Sequence, residues 1–413
     1  MRCKYLDNQV CVRSDGQYRL CCVSLEGNNK ETVHTHTPQE WYDGEFHSKV
    51  TEQMENDIWP EACVRCEKQE EQGIDSMRTR VKPDGTRYVR NFYGPGISHL
   101  DIRFGNSCNL KCISCWEMSS SSIAEEAIEM KKAGIQPLHG VLEIPNFNWA
   151  SEETMKRFDN LPIREVYLTG GEPMMDKNTY KVFQYIIDHP KKDLHLNVTS
   201  NMCPADKKIK IKYFNMAQEI CMQEKVEHMM QFVSVDAYDK KAEYIRNGLD
   251  FNYMMDNVEE FLERIPVRNS ITFICTYNNL SITSMDKLLE KILELRTKYS
   301  KTYQRVWFDI PLLRQPAWQQ ITLLPESYQA IHESNIEYMQ NNSGEENGLH
   351  IFKDFEIQKM QRNLAYWREN ADASTQNKKN FYAFFNEHDR RRQTNLLNTF
   401  PEMEEFYVEC KNA

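Results

Sequence analysis

The densest chemistry in the chain is a set of three cysteines, Cys108, Cys112 and Cys115, spaced C-x3-C-x2-C. They come just after the strand-like run Leu100-Asp101-Ile102-Arg103-Phe104. Three thiolates on one tight loop can hold three irons of a cubane cluster and leave the fourth iron open to a ligand. A second set, Cys3, Cys21, Cys63 and Cys66, contains a C-x2-C knuckle that places two sulfurs on one metal centre. Farther along, Thr169-Gly170-Gly171-Glu172-Pro173 closes another strand-like run. Its two glycines let backbone approach a ligand closely, and its carboxylate can pair with an ammonium group. Ser200 and Asn201 end a third such run, and Ser234 and Asp236 share one face at the end of a fourth. Downstream, Arg246 offers a fork suited to a carboxylate.

These residues need a scaffold, and the hydrophobic pattern predicts one. Strands are expected at 98–104, 164–169, 194–200, 230–236, 270–276 and 306–311, separated by polar or amphipathic runs. That alternation argues for parallel βα units and an α/β fold, a partial (β/α)6 TIM-like barrel. Chemistry in such a fold sits at the C-terminal strand ends, where the motifs fall. At 413 residues the chain exceeds one ordinary core. Three domains are expected: a cysteine-rich unit over 1–90, the barrel over 95–320, and a mostly helical extension over 325–413. The first holds an Asp15-Gly16 hairpin signal. The run 135–150, with Pro137, Gly140, Pro145 and Trp149, reads as an insertion available to touch a substrate or partner. In the extension, Phe381, Tyr382, Phe384 and Phe385 read as packing residues, and Arg390-Arg391-Arg392 as a solvated helix end.

Composition narrows the classes. A hydrophobic content of 40% with 27% charged residues describes a soluble globular protein, and no run reaches the length of a membrane span. The net charge of −10 argues against an extensive nucleic-acid surface and leaves room only for a local basic groove. Met1-Arg2-Cys3-Lys4 opens no signal peptide, so a cytoplasmic location is expected. In that setting 13 cysteines, odd in number and clustered, read as metal ligation rather than disulfides.

In combination the cysteine loop, Gly-Gly-Glu-Pro and the polar strand ends resemble the signature of the radical S-adenosylmethionine (SAM) enzymes, over residues 1 to about 320. The resemblance implies a [4Fe–4S] cluster on Cys108, Cys112 and Cys115 whose open iron chelates SAM. It implies that Gly170, Gly171, Glu172 and Pro173 hold the SAM amino group. Ser200 or Asn201 would meet the ribose, Ser234, beside Asp236, the carboxylate or ribose, and Arg246 a carboxylate. The N-terminal set, with Gly16 five residues before Cys21, resembles the auxiliary-cluster domains called SPASM and twitch. It implies a second [4Fe–4S] cluster on Cys3, Cys21, Cys63 and Cys66, with zinc the competing occupant and Cys22 an alternative to Cys21. The set precedes the barrel and is too small for a full SPASM unit, so a single twitch-type cluster fits better.

The implied activity is reductive cleavage of SAM to a 5′-deoxyadenosyl radical that takes hydrogen from a peptide or small-molecule substrate. The auxiliary cluster would accept an electron, and a flavodoxin or ferredoxin would donate one. Two other readings compete: action on a nucleotide or nucleic acid, and a non-catalytic iron–sulfur or zinc protein. The last would not require the Gly-Gly-Glu-Pro turn.

Overall fold

Alternation is the local rule that builds the sheet. In strand β3 (His99–Arg103) Leu100 and Ile102 alternate with His99, Asp101 and Arg103, and in β5 (Glu165–Thr169) Val166 and Leu168 alternate with Glu165, Tyr167 and Thr169. Pairing is parallel, with Leu100 opposite Val166 and Asp101 opposite Tyr167. Successive side chains leave opposite faces, so one face is apolar and suited to cover by helices, while the other is polar. The computed structural model describes residues 1–25, 27–71, 76–79, 95–135, 149–344 and 348–413.

The remaining strands are β1 (Gln9–Val12), β2 (Tyr18–Arg19), β4 (Lys111–Cys112), β6 (Lys191–Ser200), β7 (Val226–Ser234), β8 (Arg246–Asn247), β9 (Ser270–Ile274) and β10 (Val306–Asp309). All six strands expected from the sequence are present. Compactness divides the chain into two units. The first comprises Met1–Ser107, Glu143–Thr199 and Gln223–Met229; the second comprises Cys108–Leu142, Ser200–Met222 and Met230–Ala413. In the first unit the strands run β6-β5-β3-β1-β2, with β1 parallel to β3 and antiparallel to β2. In the second they run β7-β9-β10, all parallel. Within each unit the expected strands lie in chain order, β3, β5 and β6 in the first and β7, β9 and β10 in the second, as in a partial (β/α)6 fold. The hairpin around Asp15-Gly16 adds its first strand, β1, to the sheet of the first unit.

Helices link the strands through capped starts. Ser120 accepts the Ile123 N–H at the head of Ser121–Lys132, and Asp176 accepts the Asn178 N–H at the head of Lys177–Asp188. The C-terminal region is helical over Gln329–Asn341, Asp354–Glu369, Thr375–Arg392 and Glu404–Asn412. Phe381 and Phe385 are buried there, as their packing role requires. Of the insertion at 135–150, residues 136–148 with Pro137, Gly140 and Pro145 lie outside the described residues. Trp149 is buried, stacks on Phe104 at 5.5 Å and donates from Nε1 to the Arg103 carbonyl at 3.1 Å. Among the described residues no helix is long and apolar enough to cross a membrane.

Candidate functional site

The cysteine loop lies in the second unit and is held along its length. At its start Ser121 Oγ accepts the Cys108 N–H at 3.1 Å, and the Ser122 hydroxyl donates to the Cys108 carbonyl at 2.8 Å. Next, Asn109 accepts from Asn201 Nδ2 at 3.0 Å and donates to the Cys203 carbonyl at 2.8 Å, while Asn201 Oδ1 accepts the Cys203 N–H. Asn201, expected at a ribose, is therefore also a brace for the loop. Ser200 Oγ accepts the Met202 N–H at 2.9 Å. The short strand β4 carries Cys112 and pairs antiparallel with β8, which sets Cys112 opposite Arg246. Gly248, with φ of +98°, follows β8; a Cβ there would lie 3.2 Å from the Asn109 carbonyl oxygen.

This pairing defines the electrostatics. Arg246 Nη1 donates to Cys112 Sγ at 3.6 Å, and its Nε lies 2.9 Å from Asp236, whose side chain is fully buried. The Cys115 thiol beside it brings the Cys112 pKa down to about 7, Arg246 helping against burial; the same contact pushes Cys115 up. Of the Cys112–Cys115 pair, Cys112 is the one favoured as thiolate. The sequence placed Asp236 and Arg246 at SAM. The structure joins them to each other and to Cys112. Ser234 ends β7 opposite Ile274 of β9.

The Gly-Gly-Glu-Pro turn lies in the first unit. Gly170 has φ of +132°, a conformation that suits glycine. A Cβ on Gly171 would sit 2.3 Å from the Ser107 carbonyl oxygen, closer than atoms can approach. Gly171 N–H donates to Gly105 O at 3.0 Å and Glu172 N–H to Ser107 O at 2.6 Å. The turn therefore lies directly on the backbone of residues 105–107. The buried Glu172 carboxylate caps Pro173–Met175 by accepting the Met174 N–H at 3.0 Å.

The N-terminal cysteines also converge within the first unit. Cys3, Cys21, Cys63 and Cys66 line one apolar pocket with Tyr5 and Leu20. Burial raises Cys3 to about 11 and Cys63 to about 12, each with Cys66 adding to the rise. Four sulfurs on an apolar pocket are a donor set that fits an iron–sulfur cluster. Cys22 is absent from this lining, and its field acts on Cys11 and Arg103 as well as on Cys21.

Two groups escaped the sequence reading. Arg391 and Arg392 are not a solvated helix end. Their side chains are 15% and 6% exposed, and both pair with Glu126, Arg392 at 3.0 Å, while Arg392 also donates to the Lys111 carbonyl at 2.8 Å. Only Arg390, 58% exposed, faces solvent as expected. The helix Thr375–Arg392 is thereby tied to the cysteine loop, and a cavity lined by Cys112, Cys115, Glu126, Phe384, Arg391 and Arg392 lies between them. No local signal marks a charge as buried by a distant partner. The second group, on the polar face of β1, β3 and β5, was readable as period-two alternation.

No family model matches the chain, and no curated protein matches it. Solved structures similar to it include anSMEcpe with bound AdoMet, at 13% identity over 59% of each chain with a TM-score of 0.38. They also include Streptococcus suis SuiB bound to S-adenosylmethionine, at 13% identity over 72% of this chain and 57% of that one, with a TM-score of 0.39. SuiB bound to precursor peptide SuiA is similar at 13% identity over 68% and 60%, with a TM-score of 0.36. The chain spans about three-fifths of the length of these structures.

Proposed function

We propose that this chain is a radical SAM enzyme with an N-terminal auxiliary cluster, acting on a peptide or small molecule. The observation that carries the reading is the bracing of the cysteine loop by Ser121 and Ser122, by Asn201 and by Arg246. A [4Fe–4S] cluster on such a loop supplies, when reduced, the electron that splits SAM into methionine and a hydrogen-abstracting 5′-deoxyadenosyl radical. Cys108, Cys112 and Cys115 would hold it, and Arg246 would stabilise the Cys112 thiolate. Glycines 170 and 171 would give SAM access to backbone, with Glu172 toward its amino group and Ser200 and Ser234 toward ribose and carboxylate. Cys3, Cys21, Cys63 and Cys66 would hold the auxiliary cluster, and a flavodoxin or ferredoxin would bring electrons.

Zinc is the competing occupant of the four N-terminal cysteines, and metal analysis separates the two.

Anaerobic reconstitution followed by iron analysis tests this, with 5′-deoxyadenosine measured after SAM and reductant are added. About eight irons per chain and deoxyadenosine formation are expected. About four irons would remove the auxiliary cluster, and no deoxyadenosine would sink the enzyme. If the auxiliary cluster accepts an electron from the substrate, Cys63→Ala abolishes product while deoxyadenosine still forms.

A further inference from the structure

The polar face of the first unit carries a second assembly, which the roles above do not use. Cys11, Asp101 and Tyr167 are register partners in β1, β3 and β5, so their side chains leave one face. The next level toward the C-terminal ends pairs Arg103 with Thr169, the residue before Gly170. Val12 closes β1 opposite Ile102, so Arg13 and Arg103 are the next residues along the two strands. Both arginines are half-buried. Burial, and then the charge of Arg103, lower the Arg13 pKa, whereas for Arg103 burial is outweighed by Asp101, Cys11 and Cys22, which raise it. Asp101 acts on Arg103 and Asp15 more weakly on Arg13. Yet among the described residues neither arginine forms an ion pair, and Arg103 Nε is buried without a hydrogen-bond partner.

Neighbouring like charges repel, and an unpartnered buried donor costs free energy; one oxyanion would relieve both. The frame is built to hold them. Trp149 bonds the Arg103 carbonyl, and Gly16, at φ of +82°, lets the turn after Arg13 close to within 3.0 Å of Trp149 for a built Cβ. The Tyr167 hydroxyl on the same face is bonded to Thr199 at 2.6 Å.

We propose that Arg13 and Arg103 bind an oxyanion, a carboxylate or phosphate carried by the substrate. This deepens the radical SAM reading by naming a substrate class, and it rests on that reading for the ligand's role. The test is calorimetric titration of the anaerobic, cluster-loaded chain with acetate and with inorganic phosphate at constant ionic strength. Saturable one-to-one binding of one anion is expected, and the stronger binder identifies the source. Affinity should fall about tenfold or more in Arg103→Gln and in Arg13→Gln, with part of it kept in Arg103→Lys. Should Arg103→Gln not fold, as circular dichroism will show, Arg13→Gln and Arg103→Lys decide the matter. The proposal is overturned if neither anion saturates or if the variants bind as the native chain does. Displacement of the anion by SAM would also overturn it, assigning the arginines to the SAM carboxylate. Deoxyadenosine is measured on the same preparation, so anion binding without it would retain this site and remove the cluster reading.

Discussion

Arg246 shows how much one side chain can carry. It sits between the buried carboxylate of Asp236 and the sulfur of Cys112, so its charge serves an ion pair and a thiolate together. Arg246→Gln leaves Asp236 buried and unpaired, which costs about 3–5 kcal/mol in such pairs. Urea unfolding of the variant is expected to show a loss of that order. The reconstituted variant should also hold less iron, and its loop cluster should have a more negative reduction potential, because a cationic N–H donor to sulfur favours the reduced cluster. A redox titration followed by electron paramagnetic resonance reads that shift. An unchanged potential in a folded, fully loaded variant would remove Arg246 from the cluster's surroundings.

At the scale of elements, two contacts position the site. The Gly-Gly turn after β5 depends on having no Cβ at Gly171, where backbone atoms of residues 106 and 107 lie 2.3–2.7 Å away. Gly171→Ala must move backbone rather than a flexible side-chain tip, and overpacking of this kind costs about 1–3 kcal/mol or more. A lower urea midpoint with unchanged m-value is the expected reading. The second contact is the tether from the helix Thr375–Arg392 to Glu126, which also meets Lys111 at 3.5 Å. Glu126→Ala leaves the largely buried Arg392 guanidinium without a carboxylate, Arg391 keeping Glu387, and should cost about 3 kcal/mol. Limited proteolysis would then cut the C-terminal helices before the rest of the chain, and an unchanged digestion pattern would count against the tether.

At the scale of the molecule, stability in acid has an identifiable contributor. His332 lies on the helix Gln329–Asn341; its Nε2 donates to the Met360 carbonyl at 2.9 Å, and its Nδ1 accepts from the Tyr277 hydroxyl at 2.7 Å. Burial lowers its pKa to about 4. The unfolded chain, with an ordinary histidine near 6.5, therefore takes up the proton first as pH falls. The stability this neutral ring contributes is present above about 6.5 and declines toward pH 4, with a slope of up to about 1.4 kcal/mol per pH unit. His332→Gln should flatten that part of the stability profile measured by urea unfolding. An unchanged slope would place the proton uptake elsewhere.

The sequence by itself determined what depends on neighbours along the chain. Apolar, β-branched and aromatic runs located every one of the six expected strands, because such residues fit a pleated, largely buried surface. Spacing grouped the cysteines, because a loop of eight residues can bring its own sulfurs together and little else can. Only the tertiary structure decided which partner a group meets from afar. It set Cys21 rather than Cys22 on the pocket with Cys3, Cys63 and Cys66. It turned Arg391 and Arg392 inward to Glu126 and gave Asp236 to Arg246. Each outcome weighs burial against charge pairing between residues far apart in sequence, and that competition leaves no trace in local pattern.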